Sequence, residues 1–157
     1  MSLYLQVIDT KDIEEIIAFE ERKLQESISN PFDQKMAAWN ARWRRESLEH
    51  YIPLGWSFLA RDKESSSVNA DGTLVGYILC QPMVFVDGQT QSLWVEHIQY
   101  ASLQARDELC DLAVRLSKEK HFQKVIFPSV GSISNAIKSY GADTWTPQML
   151  QVKTTKT

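Results

Sequence analysis

The stretch TLVGYILCQPMVFVDGQTQSLWVEHIQY, residues 73–100, reads as two long strands around one tight turn. Thr73 to Val86 and Thr90 to Tyr100 are rich in β-branched and aromatic residues, and Asp87-Gly88 between them is a hairpin turn signal. Such a hairpin belongs at the centre of a sheet. Pro82 lacks the N–H that a ladder needs, so a bulge or an edge position is expected there.

Downstream of the hairpin the period changes from two to that of a helix. Leu109, Leu112, Ala113 and Leu116 form one stripe, and Lys118 and Lys120 sit where a helix C-terminus favours cations. A short apolar strand, Val125 to Phe127, stops at Pro128. Ser132 or Ser134 opens a last helix through Tyr140, capped by Gly141. The segment from Trp145 to Val152 supplies a final strand, and Thr154 to Thr157 is a frayed tail.

Upstream, Leu3, Leu5 and Val7 alternate with Tyr4, Gln6 and Ile8 in a strand that ends at the helix caps Asp9 and Thr10. Ile13, Ile16, Ile17 and Leu24 mark one face of the helix that follows. Asn30-Pro31 breaks it, and a second helix from Gln34 to Glu49 carries Met36, Trp39 and Trp43 as a core stripe. Trp56, Phe58 and Ala60 alternate in the next strand. Lys63 to Gly72, rich in Ser, Asn and Asp, is an exposed loop.

At 157 residues with a formal net charge of −3, the chain suits a single domain, residues 1–153, that folds without a staple. The mild acidity argues against nucleic acid as a partner, and Arg42, Arg44 and Arg45 read as a solvated helix face. Cys80 and Cys110 lack ligand spacing and read as reduced core thiols. His50, His97 and His121 show no metal spacing, so no metal is expected. No run is long enough for a membrane span and no signal segment opens the chain, which points to the cytoplasm.

The order strand, two helices, three strands, helix, strand, helix, strand resembles the GNAT acyl-CoA N-acetyltransferases over nearly the whole chain. Leu109 to Phe127 is similar to the family's central helix and following strand, with His121-Phe122 where Gly-Phe is usual. Ser134 to Ala142 resembles its last helix, with Asn135 and Ala136 near the start. The resemblance implies an α/β (α+β) fold: a central mixed, mostly antiparallel sheet flanked by helices, with a splayed parallel strand pair.

It also implies a site. Acyl-CoA, as acetyl-CoA or a related thioester, lies between the splayed strands Glu96 to Tyr100 and Val125 to Phe127. Backbone groups of Ile98, Gln99 and Tyr100 then bind the pantetheine, and the next helix N-terminus attracts the pyrophosphate. The family's loop Gln/Arg-x-x-Gly-x-Gly/Ala falls on Ala101 to Arg106 here, without the leading polar residue or the first glycine. A shifted register starting at Gln104 restores the glutamine but no glycine. Gln104, Ala105, Arg106 and Asn135 are therefore the remaining candidate cofactor contacts, with Arg106 replacing lost backbone contacts through its guanidinium. Asp107 and Glu108 compete with phosphate for the same amides.

Transfer to an amine needs a base and oxyanion donors. Glu96 and His97 are the base candidates, expected on opposite faces of their strand so that at most one faces the cleft. The family's acid tyrosine falls on Ile137, with Tyr140 about one turn away. The acceptor, a small-molecule or peptide amine, fits a groove between the first two helices and the hairpin, where Trp39, Trp43 and Trp94 either line the groove or pack into the core. The chain is read as a monomer or homodimer. The alternative reading keeps the fold as a binding or regulatory module without acetyl transfer, because the glycines are missing.

Overall fold

The hairpin at residues 73–100 is the centre of the sheet. In the computed structural model, which describes residues 2–64, 71–145 and 148–155, β3 (Thr73–Val86) and β4 (Gln89–Tyr100) pair antiparallel along nearly their full length. Asp87 and Gly88 both take positive φ, 51° and 74°, the conformation a two-residue type I′ hairpin turn requires. Outward from this pair lie β2 (Phe58–Asp62) and β1 (Leu3–Val7) on one side and the short β5 (Lys124–Ile126) on the other. The order is β1-β2-β3-β4-β5. Every pairing is antiparallel except β4 with β5, which is parallel.

Helices cover both faces. Asp9 accepts from the Lys11 amide and shares a capping box with Asp12, so the chain turns into α1 (Ile13–Ser27) where the caps were expected. Beside it stands α3 (Arg45–Tyr51). Ile13, Ile16, Phe19, Leu48 and Ile52 pack on Leu59, Leu74, Tyr77 and Leu79 from one face of the sheet. On the other face, Ala105, Leu109, Cys110 and Ala113 of α4 (Leu103–Glu119) and Ile133 and Ile137 of α5 (Gly131–Ile137) pack on Ile78, Cys80, Leu93, Val95 and Ile98. Gly76 lets α4 come close, since a Cβ there would sit 3.1 Å from Leu109 Cδ1.

Pro82 stands opposite Leu93, past the last residue of β3 that pairs with β2, Ile78. It thus occupies an edge on the β2 side, as its missing N–H demands. The ladder shifts register nearby: Leu79 faces His97 while Cys80 faces Val95, leaving Glu96 as an extra residue in β4. This is a β-bulge.

Four expectations need correction. The second helix is two helices: α2 (Pro31–Trp39) starts on an Asn30 cap, stops at Asn40, and α3 begins after a turn. Asn30-Pro31 therefore ends one helix and also opens the next, because Pro31 is preset for the first helical position. Met36 and Trp39 are not core, being 52% and 73% exposed. Ser132 and Ser134 lie within α5, whose cap position is Val130. Between Trp145 and Val152 the described residues form no strand; residues 146 and 147 lie outside the described set, as do 65–70 of the expected loop and 156–157 of the tail. Gly141 does cap the last turn, Lys138–Tyr140, with φ 74°.

Candidate active site

Two departures from a regular sheet create the site. First, β4 and β5 pair only from Ser92 to Trp94 and Lys124 to Ile126, where β5 ends while β4 runs on to Tyr100. Beyond Trp94 the β5 side of β4 is an open edge. Ala101 N–H bonds back to Val75 O at 2.8 Å, so alternation turns the Tyr100 and Ile98 N–H groups toward that open side. Among the described residues the Tyr100 N–H meets the side-chain Oε1 of Gln99, 3.1 Å away.

Second, the bulge resets the face that each side chain takes. Leu93, Val95 and Ile98 all enter the α4 core, so the two residues between Val95 and Ile98 must share the other face. Both do: Glu96 Oε2 accepts from Tyr51 Oη at 2.9 Å and from Trp94 Nε1 at 2.7 Å, while His97 Nε2 lies 3.1 Å from Glu20 Oε2 of α1. The expectation of opposite faces assumed an unbroken period of two, and the extra residue breaks it.

Glu96 is closely held. Arg42 donates to its carbonyl at 3.1 Å and stands 3.9 Å from its Oε1, so Arg42 reaches the sheet instead of only solvating a helix face. Burial, then the bond to Glu96, pushes the Tyr51 hydroxyl up to about 12. His97 is less occupied: Nε2 faces Glu20, and Nδ1 has no hydrogen bond to any described residue. Glu20 is 1% exposed, and its other oxygen, Oε1, has no partner among the described residues. Tyr77, whose ring centre is 5.7 Å from that of His97, has a buried hydroxyl that no described residue reaches within hydrogen-bond distance. Burial and then the neighbouring Glu20 charge push this phenol well above its ordinary value.

On the same face a cavity of about 220 Å³ lies between α1, the turn before α3 and β4, lined by Glu20, Lys23, Leu24, Ser27, Trp43 and Gln99. Trp43 thus lines a groove, whereas Trp94 packs edge-on against Trp145 with ring centres 6.2 Å apart. His97 and Gln99, two apart on a strand, are neighbours along this face.

The expected cofactor contacts have mixed surroundings. Ser102 caps α4 through the Ala105 amide, which leaves the Leu103 and Gln104 amides at the open first turn. The Gln104 amide group bonds Glu108. Arg106 is engaged by the Asp107 carboxylate at 2.9 Å and the Ser132 carbonyl at 3.2 Å, so a phosphate would have to compete for it. Ile98 is buried and offers backbone only. Asn135 is exposed on α5. Tyr140 donates to Asp111 at 2.6 Å, and this bond, ahead of burial, pushes its hydroxyl up to about 12. These two line a different cavity of about 450 Å³ with Leu5, Asp107, Glu108 and Arg115, and neither Glu96 nor His97 borders it.

Sequence reasoning missed Glu20, Tyr51 and Arg42, which reach β4 from α1, α3 and the turn before α3. Nothing local in the sequence couples them to β4. The described residues contain no cluster able to hold a metal ion and no helix long and apolar enough to cross a membrane.

No protein-family model matches this sequence, and no curated protein matches it. Solved structures do. The predicted acetyltransferase with acetyl-CoA from Clostridium acetobutylicum superposes with a TM-score of 0.62 at 14% identity, over 97% of this chain and 96% of that one. A GCN5-related N-acetyltransferase from Ralstonia eutropha JMP134 gives 0.62 at 12% identity, over 97% and 99%. A ribosomal-protein-alanine N-acetyltransferase from Brucella melitensis gives 0.56 at 15%, over 97% and 100%.

Proposed function

We propose that this chain, which has the fold of the GCN5-related N-acetyltransferases, is an N-acyltransferase that moves an acyl group from acyl-CoA to an amine. The observation that carries this reading is the opening of β4 from β5 directly after Trp94, beside a bulge that turns Glu96 and His97 to one face. In that opening the Ile98 and Tyr100 N–H groups serve the pantetheine amides, with Gln99 releasing Tyr100. The first turn of α4 takes the pyrophosphate through its free amides and dipole, which compensates in part for the missing glycines.

His97 is the base in this reading. With Nε2–H donated to Glu20, Nδ1 carries the lone pair that accepts a proton from the acceptor ammonium. The freed amine attacks the thioester carbonyl, the C–N bond forms, the tetrahedral oxyanion collapses with loss of the C–S bond, and the amide nitrogen and the His97 imidazolium each give their extra proton to solvent. The CoA thiolate then takes a proton from solvent, because Tyr140 holds its own on Asp111. Glu96, with one oxygen already taken by Tyr51 and Trp94, orders the bulge. The acceptor amine occupies the cavity at Trp43 and Gln99.

The test is thiol release from acetyl-CoA against a panel of primary amines, with wild type and His97→Ala compared. Amine-dependent release that His97→Ala lowers about 100-fold or more supports transfer through this base. The competing reading, a binding module without transfer, is favoured by the engagement of Arg106 with Asp107 and Ser132. It predicts no release with any amine.

A further inference from the structure

Glu20 is an unusual residue for α1. Its neighbours on the buried side of the helix are Ile13, Ile16 and Phe19, yet it is a carboxylate with a 1% exposed side chain and one oxygen that no described residue satisfies. A group this costly to bury is retained where its charge has a partner that needs it. The partner is His97 Nε2 at 3.1 Å, on the strand where the sheet opens.

We infer that Glu20 is a positioning residue: its carboxylate fixes the His97 tautomer with the proton on Nε2, and so keeps Nδ1 bare to receive the acceptor's proton. A carboxylate has no proton to donate, so the neutral imidazole can satisfy it only by donating Nε2–H. The other tautomer would set two lone pairs against each other inside the core. Tyr77 adjoins both groups, and burial and then Glu20 hold its hydroxyl well above the ordinary phenol value. Tyr77 also packs against the imidazole, ring centres 5.7 Å apart, which restricts its rotation. The arrangement makes the base depend on α1, the same helix that gives Glu20, Lys23, Leu24 and Ser27 to the acceptor cavity.

The assignment of His97 as base rests on the acyltransferase reading, whereas control of its tautomer by Glu20 does not. The experiment is therefore nitrogen-15 NMR of the histidine rings in the full chain at alkaline pH, for wild type and Glu20→Gln, with His97→Gln used to identify the resonances. The inference expects His97 as the Nε2–H form in wild type. In Glu20→Gln it expects a shift toward Nδ1–H, since a carboxamide can donate to a bare Nε2. Where acyl transfer is measurable, Glu20→Gln lowers kcat about 10- to 100-fold with KM nearly unchanged. An Nδ1–H form in the wild type overturns the inference, and that spectrum does not require Glu20→Gln to fold. An unchanged tautomer in a folded Glu20→Gln protein overturns it equally. Should no amine be acylated, the acyltransferase reading falls and the spectra still decide the role of Glu20.

Discussion

Glu96 and His97, adjacent in sequence, lie on the same face of β4, because the ladder pairs Leu79 with His97 and Cys80 with Val95 and leaves Glu96 extra. One face therefore presents a carboxylate held by Tyr51 and Trp94 next to an imidazole held by Glu20. Tethers from α1 and α3 meet the strand at its bulge, so perturbing either helix perturbs the site.

Tyr51→Phe removes one of two donors that share Glu96 Oε2. The expected cost in urea unfolding is about 1 kcal/mol, and Trp94→Phe should cost somewhat more because it also loses packing. The double variant should lose less or more than the sum, since the two donors are coupled through one oxygen. Strict additivity would mean that the shared oxygen is not what joins them.

Reaction kinetics separate the two residues of the bulge. If His97 is the proposed base, His97→Gln should lower kcat about 100-fold or more while leaving acetyl-CoA affinity within about twofold. Glu96→Gln keeps acceptors for both donors and should lower kcat by less than about tenfold. The reverse ranking in steady-state assays would move the base to Glu96.

Tyr140 gives a pH signature of its own. The Asp111 bond raises its hydroxyl to about 12 from 10.0, so its stabilising effect is complete below pH 10.0 and fades as pH rises through about 12. Asp111 is lowered from 3.8, first by that bond and then by Arg115, so its part is present above pH 3.8 and fades as pH falls through the lower folded value. Tyr140→Phe should therefore be slightly less stable than wild type in thermal unfolding near neutrality. The gap should close toward both extremes, and acyl transfer should change less than about threefold if solvent protonates the thiolate.

The two thiols should be silent. Burial pushes Cys110 to about 11 and raises Cys80 further, so neither forms thiolate near neutrality. Iodoacetamide should label neither in the folded chain by mass spectrometry, and both once the protein is unfolded in urea.

The hairpin, its turn and the α4 stripe were legible because each rests on a local pattern: the alternation over residues 73–100, Asp87-Gly88, and Leu109 with Ala113 at helical spacing. The bulge was not, because an extra residue in a strand leaves no mark in its own sequence and is fixed by the partner Leu79-Cys80 step. The break between α2 and α3 escaped for a related reason. Residues 34–49 carry no internal Gly or Pro, and the stripe Met36, Trp39 and Trp43 looks continuous although only Trp43 packs inward. Of the site, β4 supplied what the sequence could show, while Glu20 and Tyr51 required the fold.

Calorimetric titration with acetyl-CoA of wild type and Gln104→Glu decides whether the opening between β4 and β5 and the first turn of α4 bind acyl-CoA. Gln104 is exposed in the first turn, where an added carboxylate favours the helix dipole but repels a pyrophosphate at the same amides. Binding to wild type should be micromolar and at least about tenfold weaker in Gln104→Glu, with the variant's melting temperature unchanged or higher. No heat of binding at millimolar acetyl-CoA, or equal affinity in the two proteins, would contradict acyl-CoA binding there.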